Sequence, residues 1–433
     1  MLAAMPPTRA TSTNKGESLI RDRGDACPGA LRLHLADDGA LARLRLPAGV
    51  LTERQATVLA DAAERLADGN LSVTSRGNVE LRGLPDDCGS TLAALLTDAG
   101  LLPSARHERV RNIVASPLAG VDGIGRADVQ LWARELDGLL CAREWTTALS
   151  GRFLFALDDG RGDMAGLGGD VTLIAESDGA AVVRVGAAAL RVAASDAPRA
   201  ALAAAGAFLA AAREADNGAW RVRELPAGHR ADLAAALERA GVEAAPAEPW
   251  TAPRAAPHTP GVTGRAVAVG APLGRVTAAQ WRALLPLPAD ELRVTPWRGF
   301  VLPGFADAGT ARDRLAALDA AGYLTDPASP WLGVGACTGR PGCAKSLADV
   351  RADAVPGPGG LPVHWSGCER RCGHPRGDWV DVLATGDGRY EVTVRGPGGH
   401  GTPVPGATLA EAVTTARTTQ ARTTSATTPT ATK

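Results

Sequence analysis

The sequence has little lysine and no long hydrophobic run. Of its 46 basic residues only Lys15, Lys345 and Lys433 are lysines, so an arginine is informative only inside a motif. The lack of any apolar run of 18 residues excludes a transmembrane helix, and residues 1–24 lack the apolar core of a signal peptide. The seven cysteines are odd in number, unlike a secreted disulfide framework. We therefore expect a soluble, cytoplasmic protein.

The chain also has almost no net charge and lacks a dinucleotide-binding fingerprint. A formal charge of −1 over 433 residues gives no bulk attraction to nucleic acid or to an anionic membrane, and we expect neither as a partner. The glycine-rich pieces GLGGD (166–170) and GVGACTG (333–339) lack the G-x-G-x-x-G spacing between a strand and a helix. Direct binding of a nicotinamide cofactor is therefore not expected.

Four cysteines are concentrated near the C-terminal end, spaced as Cys337-x5-Cys343 and Cys368-x3-Cys372. Four thiolates from two short turns can enclose one metal centre, and soft thiolates select zinc or an iron–sulfur cluster. Zinc sites usually use tighter C-x2–4-C pairs, so the spacing favours a [4Fe–4S] cluster and leaves zinc as the alternative. The remaining cysteines show no metal-ligand spacing and are predicted to be structural thiols: Cys27, Cys88 and Cys141.

A strand–helix–strand pattern occurs twice, at an offset of about 220 residues. In the first copy Thr52-x-x-Gln55 predicts a capping box, and the strand-like NLSVTSRGNVELRG (70–83) follows. In the second copy Thr277-x-x-Gln280 and ELRVTPWRGFVLPG (291–304) repeat this order. One such unit cannot bury both faces of its sheet, so we expect the two copies to join around a pseudo-twofold axis.

These patterns divide the chain into seven parts, in which each repeat is followed by an α/β segment. The predicted parts are a disordered N-terminus (1–24), a first repeat unit (25–95), an α/β segment without cluster cysteines (100–240), a proline-rich linker (241–262), a second repeat unit (263–325), a domain that carries the four clustered cysteines (326–415) and a disordered tail (416–433).

On these motifs the chain resembles the sulfite/nitrite reductase superfamily over roughly residues 27–400. The duplicated V-T-x-(x)-R-G strands, the pair Arg111-Asn112 and the four cysteines in order carry the resemblance. It implies an α+β fold with pseudo-twofold symmetry, in which two ferredoxin-like half-domains join two α/β segments and the second segment binds [4Fe–4S]. Within the superfamily the chain is similar to the precorrin-3B synthases, through RGDACPGALRLH, LTERQ, VTPWRG and ACTGRPGCAKSLADVRADA.

The resemblance implies an O2-dependent monooxygenase of aerobic cobalamin biosynthesis. It would hydroxylate precorrin-3A at C20 and close a γ-lactone, with electrons from NADH acting through a reductase or from a ferredoxin. Its cofactors would be a [4Fe–4S] cluster on the four clustered cysteines and a mononuclear non-haem iron. No ligand pair for that iron shows the expected spacing; the side chains near the motifs are His34, His107, His364, His374, Asp158 and Asp159.

Precorrins carry many carboxylates, and the planar donor fork of arginine matches carboxylate geometry. By the resemblance, Arg76 and Arg111 correspond to the anion-binding arginines of the reductases and are predicted to be catalytic. Arg298 in TPWRG is predicted to be the repeat partner of Arg76. The predicted substrate-binding set is Arg76, Arg82, Arg109, Arg111, Asn112 and Arg298.

Two other functions remain open at this point. A sulfite or nitrite reductase would share the fold and the cluster and would add siroheme, but the reductases carry a proton-supplying R-K-x-K pair on the strand after the first α/β helix. This chain offers Arg152 and Leu154 there, and neither is a ready proton donor. The third function is a non-catalytic iron–sulfur electron carrier or a zinc-stabilised binding module, which would need no arginine cradle.

Overall fold

The computed structural model describes residues 29–248, 258–375, 377–396, 401–406 and 408–418. The predicted disordered N-terminus, Cys27 and the centre of the predicted linker lie outside these residues, as does the tail beyond residue 418. Within them, no helix combines the length and the apolar character needed to cross a bilayer.

The first half-domain is an antiparallel sheet covered by two helices. Its elements are β1 (His34–Ala36), β2 (Gly39–Leu44), β3 (Val50–Leu51), α1 (Glu53–Leu66), β4 (Asn70–Val73), β5 (Val79–Leu84) and α2 (Gly89–Asp98). Helix α1 begins with the predicted capping box, in which Thr52 and Gln55 exchange side chain–backbone hydrogen bonds.

The first α/β segment is a six-stranded mixed sheet with helices on one face. Its elements are β6 (Ile113–Ala115), α3 (Val129–Cys141), β7 (Phe155–Asp158), β8 (Val171–Ala175), β9 (Ala180–Val185), β10 (Ala188–Ala193), α4 (Ala197–Ala215), α5 (Leu233–Arg239) and β11 (Ala245–Pro246). Strands β6, β7 and β8 are parallel, as expected where helix α3 connects the first two. β11 pairs with β10, so the predicted linker begins as part of this sheet.

The second half-domain repeats the first. Its elements are β12 (Gly261–Thr263), β13 (Ala266–Gly270), β14 (Arg275–Thr277), α6 (Ala278–Arg282), β15 (Leu292–Val294), β16 (Gly299–Pro303) and α7 (Ala308–Ala320). Helix α6 also starts with the predicted capping box, formed by Thr277 and Gln280. In each half the capping glutamine extends to a carbonyl after the next helix: Gln55 to Ala99 and Gln280 to Ala321.

The two halves exchange strands. β14 of the second half pairs with β4 of the first, and β3 of the first half pairs with β15 of the second. Since β3 and β14 hold the same place in the repeat, the exchange is reciprocal. It creates one apolar core that contains Leu59 and Leu81 from one half and Trp281 and Phe300 from the other. The expected pseudo-twofold joining of two repeats is confirmed.

The C-terminal domain carries the cysteines on a five-stranded sheet. Its elements are β17 (Val334–Ala336), β18 (Val363–Ser366), β19 (Trp379–Gly386), β20 (Arg389–Arg395), β21 (Gly401–Pro403) and α8 (Leu409–Thr418). Helix α8 runs through residues 416–418, so the prediction that the disordered tail starts at 416 was wrong. The buried Arg417 explains the longer helix, because its guanidinium donates to the carbonyls of Leu361, Gly357 and Leu332.

Trp281 tests whether the shared core holds the halves together. Its ring is fully buried and its Nε1 donates to the Ala56 carbonyl across the pseudo-twofold interface at 2.8 Å. We expect Trp281→Ala to lower the free energy of unfolding by roughly 3–5 kcal/mol, because it opens a large cavity. Trp145→Ala, at a tryptophan that is 40% exposed, should cost far less. Urea unfolding of both variants measures the difference, and equal losses would contradict a shared core.

Candidate functional site

The four clustered cysteines lie on two loops that leave adjacent parallel strands. Cys337 follows β17, and Cys368 and Cys372 follow β18; the two strands pair in parallel, so their carboxyl ends meet at one edge of the sheet. The Cys337 amide donates to the Trp365 carbonyl at 2.9 Å, and the Gly367 amide donates to Cys337 Sγ at 3.2 Å. The predicted ligands are therefore brought together at one place.

The spacing of the sulfur atoms bears on which centre they could hold. Four thiolates around one zinc at about 2.3 Å lie only about 3.8 Å apart in a tetrahedron. Among the described residues, no three of these sulfurs lie within 4.8 Å of one another, although the four thiols act on one another electrostatically. The four sulfurs therefore do not form a preformed tetrahedral zinc site, and the [4Fe–4S] cluster stays a prediction.

The cysteine loops are positioned by a buried, neutral histidine. His364 lies in β18 and is fully buried, and its Nε2 donates to the Cys372 carbonyl at 2.9 Å. Burial, and then the nearby charge of Arg298, lower the pKa of His364 to about 3, so the imidazole is neutral at physiological pH. Burial also raises the pKa of the Cys337 and Cys372 thiols, so metal binding must displace protons from these sulfurs.

The turn that carries Arg298 corrects the predicted repeat alignment. In the first half the Thr74 amide bonds to Asn78 O and the Gly77 amide bonds to Thr74 O. In the second half the Thr295 amide bonds to Gly299 O and the Arg298 amide bonds to Thr295 O. Arg298 therefore occupies the position of Gly77, and the repeat partner of Arg76 is Trp297. The one-residue difference in the sequence spacing of the two motifs concealed this register.

Arg298 adopts a backbone conformation that normally requires glycine. Its φ is +60°, close to the +64° of Gly77, and a left-handed conformation costs a side chain-bearing residue roughly 1–2 kcal/mol. The Arg298 side chain passes close to Gly335: a Cβ atom added to that glycine would lie 2.0 Å from Arg298 Nη1. Arg298 Nη2 donates to the Gly373 carbonyl at 2.9 Å. The strained turn thus delivers a cation to the residue that follows Cys372.

Sequence reasoning missed a second cation at this place, Arg351. Arg351 is half-buried; its buried Nε has no hydrogen-bond partner in the described part of the chain, and its Nη1 reaches only the Leu273 carbonyl at 3.4 Å. Burial, and then the charges of Arg275 and Arg298, lower its pKa to about 10. Arg351 lies in the quoted motif ADVRADA, but nothing local distinguishes it from a surface arginine.

Of the other predicted arginines in this region, Arg82 links the first half-domain to a cysteine loop. Arg82 donates to both carboxylate oxygens of Asp38, at 2.9 and 2.7 Å, and to the Gly342 carbonyl of the first cysteine loop at 2.9 Å. Arg76 is half-buried. The turn that carries it packs against the turn that carries Arg298, because a Cβ atom added to the neighbouring Gly77 would lie only 2.8 Å from the Val294 carbonyl oxygen. The structure therefore brings Arg82 and Arg298 to the cysteine loops, and it places the Arg76 turn against the Arg298 turn.

Arg111 and Asn112 are engaged elsewhere. The Arg111 guanidinium forms a two-point ion pair with Asp137, with both contacts at 2.7 Å, and also donates to the Leu101 carbonyl. Asn112 is fully buried and donates to the Phe153 carbonyl at 2.9 Å. Half-buried Arg109 accepts a hydrogen bond from Arg45 at its carbonyl. These contacts support a structural function for Arg111 and Asn112, and a substrate contact by either stays a prediction.

The strand where the reductases carry two lysines is apolar here. Leu154 is buried against Val114, Ala156 and Met164, with Trp297 packed on the same group. Arg152 lies over the ring of Trp220, 4.8 Å from its centroid. Neither position offers a side chain that can deliver protons readily.

The side chains present do not fit a facial mononuclear iron site. His107 contacts Ser104 and the Arg143 carbonyl through its two ring nitrogens, His34 is exposed on β1, and His374 stacks on Trp379 at the surface. Within the described ranges no two histidines approach one carboxylate closely enough to share a metal ion. We therefore assign no ligand and no reaction step to such an iron.

Three carboxylate oxygens do lie within 4.8 Å of one another, one each from Asp158, Asp159 and Asp163. The negative charges of Asp158 and Asp159, however, are already compensated by protein groups. Asp158 accepts four backbone N–H groups, from Gly160, Gly162, Met164 and Ala165. Asp159 pairs with Arg161 at 2.6 Å. Burial raises the pKa of Asp163 to about 7, so this carboxyl group can stay neutral and needs no cation. The cluster organises the loop after β7.

Comparisons with known proteins agree with this architecture. Residues 34–97 match the nitrite/sulfite reductase ferredoxin-like half domain. The chain is 28% identical over 392 residues to a precorrin-3B synthase from Sinorhizobium sp., which covers 86% of this chain and 83% of the relative. It is also 35% identical over 100 residues to a ferredoxin–nitrite reductase of Leptolyngbya laminosa, or 23% of this chain and 20% of the relative.

A solved structure shares the fold. The NirA protein of Mycobacterium tuberculosis superimposes with a TM-score of 0.64 at 20% identity, covering 84% of this chain and 77% of that protein. The fold class inferred from the sequence is therefore confirmed as sulfite/nitrite reductase-like. The resemblance to the precorrin-3B synthases is confirmed over most of the chain's length.

Replacing a single cysteine tests the predicted cluster ligands. We expect Cys372→Ser to lose most of the bound iron and acid-labile sulfide after anaerobic reconstitution, because a serine oxygen is a poor ligand for a soft centre. Cys88→Ser is the matched control, since Cys88 is buried in the half-domain core and should keep both. Iron and sulfide analysis measures the outcome, and a Cys372→Ser protein with a full cluster would contradict the ligand assignment.

The pKa of Asp163 makes stability depend on pH. Between the ordinary value of 3.8 and the folded value of about 7, the folded state binds more protons than the unfolded state. The free energy of unfolding therefore falls as pH rises through this window and stays lower above it. Asp163→Asn should remove this decline and be more stable than the parent at pH 8, by roughly 1–4 kcal/mol. Urea unfolding at pH 5 and pH 8 measures it; the exposed Asp313→Asn is the control.

Proposed function

We propose that this chain is a precorrin-3B synthase-like monooxygenase of cobalamin biosynthesis, which hydroxylates precorrin-3A at C20 with O2 and closes the γ-lactone. The observation that carries the proposal is the pair Arg298 and Arg351 beside the cysteine loops. Neither forms an ion pair with a carboxylate anywhere in the described ranges. The similarity to a precorrin-3B synthase over most of both chains supports the same function.

The electrostatics of this pair favour a ligand with several negative charges. A half-buried cation without a counter-ion is destabilising, and here Arg298, Arg275 and Arg82 all act on Arg351 with charge of the same sign. Arg82 and Arg275 have their own carboxylates, Asp38 and Asp68. The carboxylate side chains of a precorrin would compensate the remaining charge through charge-assisted hydrogen bonds, each contributing about 1.5–3 kcal/mol.

Each part of the site then has a function. Arg298 and Arg351 bind substrate carboxylates next to the cysteine loops, and Arg76 lies on the adjoining turn. The Nε2–H group of His364 donates to the Cys372 carbonyl and so fixes the loop that holds Cys368 and Cys372. The apolar group around Leu154 and Trp297 excludes water from the sheet face that the reductases line with lysine. When bound, an iron–sulfur centre held by Cys337, Cys343, Cys368 and Cys372 would supply electrons one at a time.

The second candidate is a siroheme-dependent sulfite or nitrite reductase. The local similarity to ferredoxin–nitrite reductases favours it, and the shared fold accommodates it. Reduction of these anions requires repeated protonation, however, and the strand that would supply the protons carries Leu154 and a stacked Arg152. The oxygenase is therefore the better-supported function.

The product of the reaction tests the proposal directly. The purified protein, reconstituted with iron and sulfide, is given precorrin-3A, 18O2 and an electron donor, and the product is analysed by mass spectrometry. We expect incorporation of one 18O atom into the tetrapyrrole, while the other leaves as water with two electrons from the donor. Reduction of nitrite or sulfite without oxygen incorporation would establish the reductase instead. Binding of neither substrate would favour the carrier.

Arg351→Gln tests the carboxylate cradle itself. Because it removes one charge-assisted contact, we expect the affinity for precorrin-3A to fall about tenfold to a hundredfold. Loss of a half-buried, uncompensated charge should leave the free energy of unfolding unchanged or higher. Equilibrium fluorescence titration measures the first effect and urea unfolding the second. Arg134→Gln, on the exposed face of α3, is the control, and unchanged affinity in Arg351→Gln would contradict the cradle.

A further inference from the structure

A groove on the helical side of the first α/β segment has no function in the account above. It runs along α4, between the end of α3 and α5, and its volume of about 630 Å³ falls within the range of roughly 300–1,000 Å³ that is usual for small-molecule sites. No cluster cysteine and none of the predicted substrate-binding arginines line it. We call it the α4 groove; its lining includes Leu139, Arg143, Trp145, Arg199, Gly206 and Arg239.

The floor of the α4 groove is apolar. Ala203 and Gly206 line it from α4, together with the half-buried Leu139 and Leu202. Trp145 lies against the floor: a Cβ atom added to Gly206 would lie 3.6 Å from Trp145 Cη2. The indole is 40% exposed, so part of the ring is accessible. An aromatic ring beside an apolar floor is typical of a small-molecule site.

The charge in the α4 groove is of one sign. Three arginines line it, and no acidic residue of the described chain does. Arg199 pairs with Asp196 at 2.7 Å and donates to the Ala240 carbonyl at 2.7 Å. Arg143 and Arg239 are exposed, and neither forms an ion pair within the described residues. Their positive charge is therefore available to an anionic ligand.

The cations lie at both ends of the apolar floor. Arg199 is in the first turn of α4 and is hydrogen-bonded to the residue that follows Arg239. Arg143 is two residues from Trp145, at the Gly206 end of the groove. Between residues 199 and 206 the helix rises roughly 10 Å, at about 1.5 Å per residue. A ligand that fills the groove therefore meets positive charge at each of its ends.

We propose that the α4 groove binds a small molecule with an apolar body and carboxylate groups at opposite ends. The body would displace water from Leu139, Leu202 and Trp145. The carboxylates would pair with Arg143 and Arg239, because the planar donor fork of arginine matches carboxylate geometry. An anion charged at one end only would leave the cation at the other end uncompensated. A stable protein interface needs about 800 Å² on each partner, more than a groove this short supplies.

Two classes of molecule have this chemistry. One is a tetrapyrrole with carboxylates around its flat ring system, and the other is a linear dicarboxylic acid. The inference goes beyond the proposed function and does not rest on it, because neither Arg298 nor Arg351 belongs to the groove. The experiment distinguishes the two classes.

The test uses the full-length, anaerobically reconstituted protein and compares decanedioate with decanoate by titration calorimetry. We expect decanedioate to bind about tenfold more tightly, because it alone pairs with both ends of the groove. Arg143→Glu and Arg239→Glu should each weaken decanedioate binding about tenfold, and the loss should shrink at high salt. Arg134→Glu, on the exposed face of α3, makes the same charge change outside the groove and should have no effect.

Uroporphyrin III, a stable tetrapyrrole polycarboxylate, identifies the class of ligand. If the groove takes tetrapyrroles, Arg239→Glu should weaken a uroporphyrin site that Arg351→Gln leaves intact. If Arg239→Glu weakens decanedioate binding but leaves uroporphyrin binding unchanged, the ligand is a linear dicarboxylate. In either case a bound ligand should change the tryptophan fluorescence of the parent, and most of that change should be lost in Trp145→Phe.

Equal affinities for decanedioate and decanoate, charge-reversed variants that match the parent, or a parent that binds none of these probes would each overturn the inference. A parent dimer that Ala203→Trp dissociates would also overturn it, because a second copy of the chain would then occupy the groove; sedimentation velocity measures this. The oxygenation assay does not depend on these outcomes. The groove can fail to bind while precorrin-3A is oxygenated, and it can bind in a protein that does not oxygenate precorrin-3A.

Discussion

The placement of Arg298 is the constraint on which the site depends. Its guanidinium reaches the carbonyl of Gly373 only because the backbone at Arg298 takes a left-handed conformation and because Gly335 has no side chain in its path. The strain of such a residue is small compared with the stability of a large domain, but it persists only where the surrounding structure enforces it. Here the β15–β16 turn and the cysteine loops enforce it together.

A nearly symmetric framework thus carries an asymmetric set of side chains. The reciprocal exchange of β3 and β14 gives both halves the same turn geometry, with the same hydrogen bonds after Thr74 and Thr295. The first turn has Gly77 where the second has Arg298. The duplication therefore provides two equivalent turns that contact each other, and the substitutions on them place one cation against the cysteine loops.

Features that depend on neighbours in the sequence could be predicted from it. The capping boxes at Thr52 and Thr277, the repeat and the cysteine spacing follow from local chemistry, and the structure contains all of them. Features that depend on distant partners could not. Arg111 matched a motif, but its pairing with Asp137 across 26 residues is invisible in a pattern. Arg351 looks like a surface residue until Arg275 and Arg298 are brought beside it.

The most direct test of the account is an anaerobic ultraviolet–visible spectrum of the purified protein, together with its iron, zinc and acid-labile sulfide content. We predict the broad absorption of an iron–sulfur cluster, acid-labile sulfide in proportion to the iron of the cluster and no sharp porphyrinoid band. An intense Soret-type band with the visible features of siroheme would contradict the oxygenase and favour the reductase. Zinc in place of iron and sulfide would contradict both.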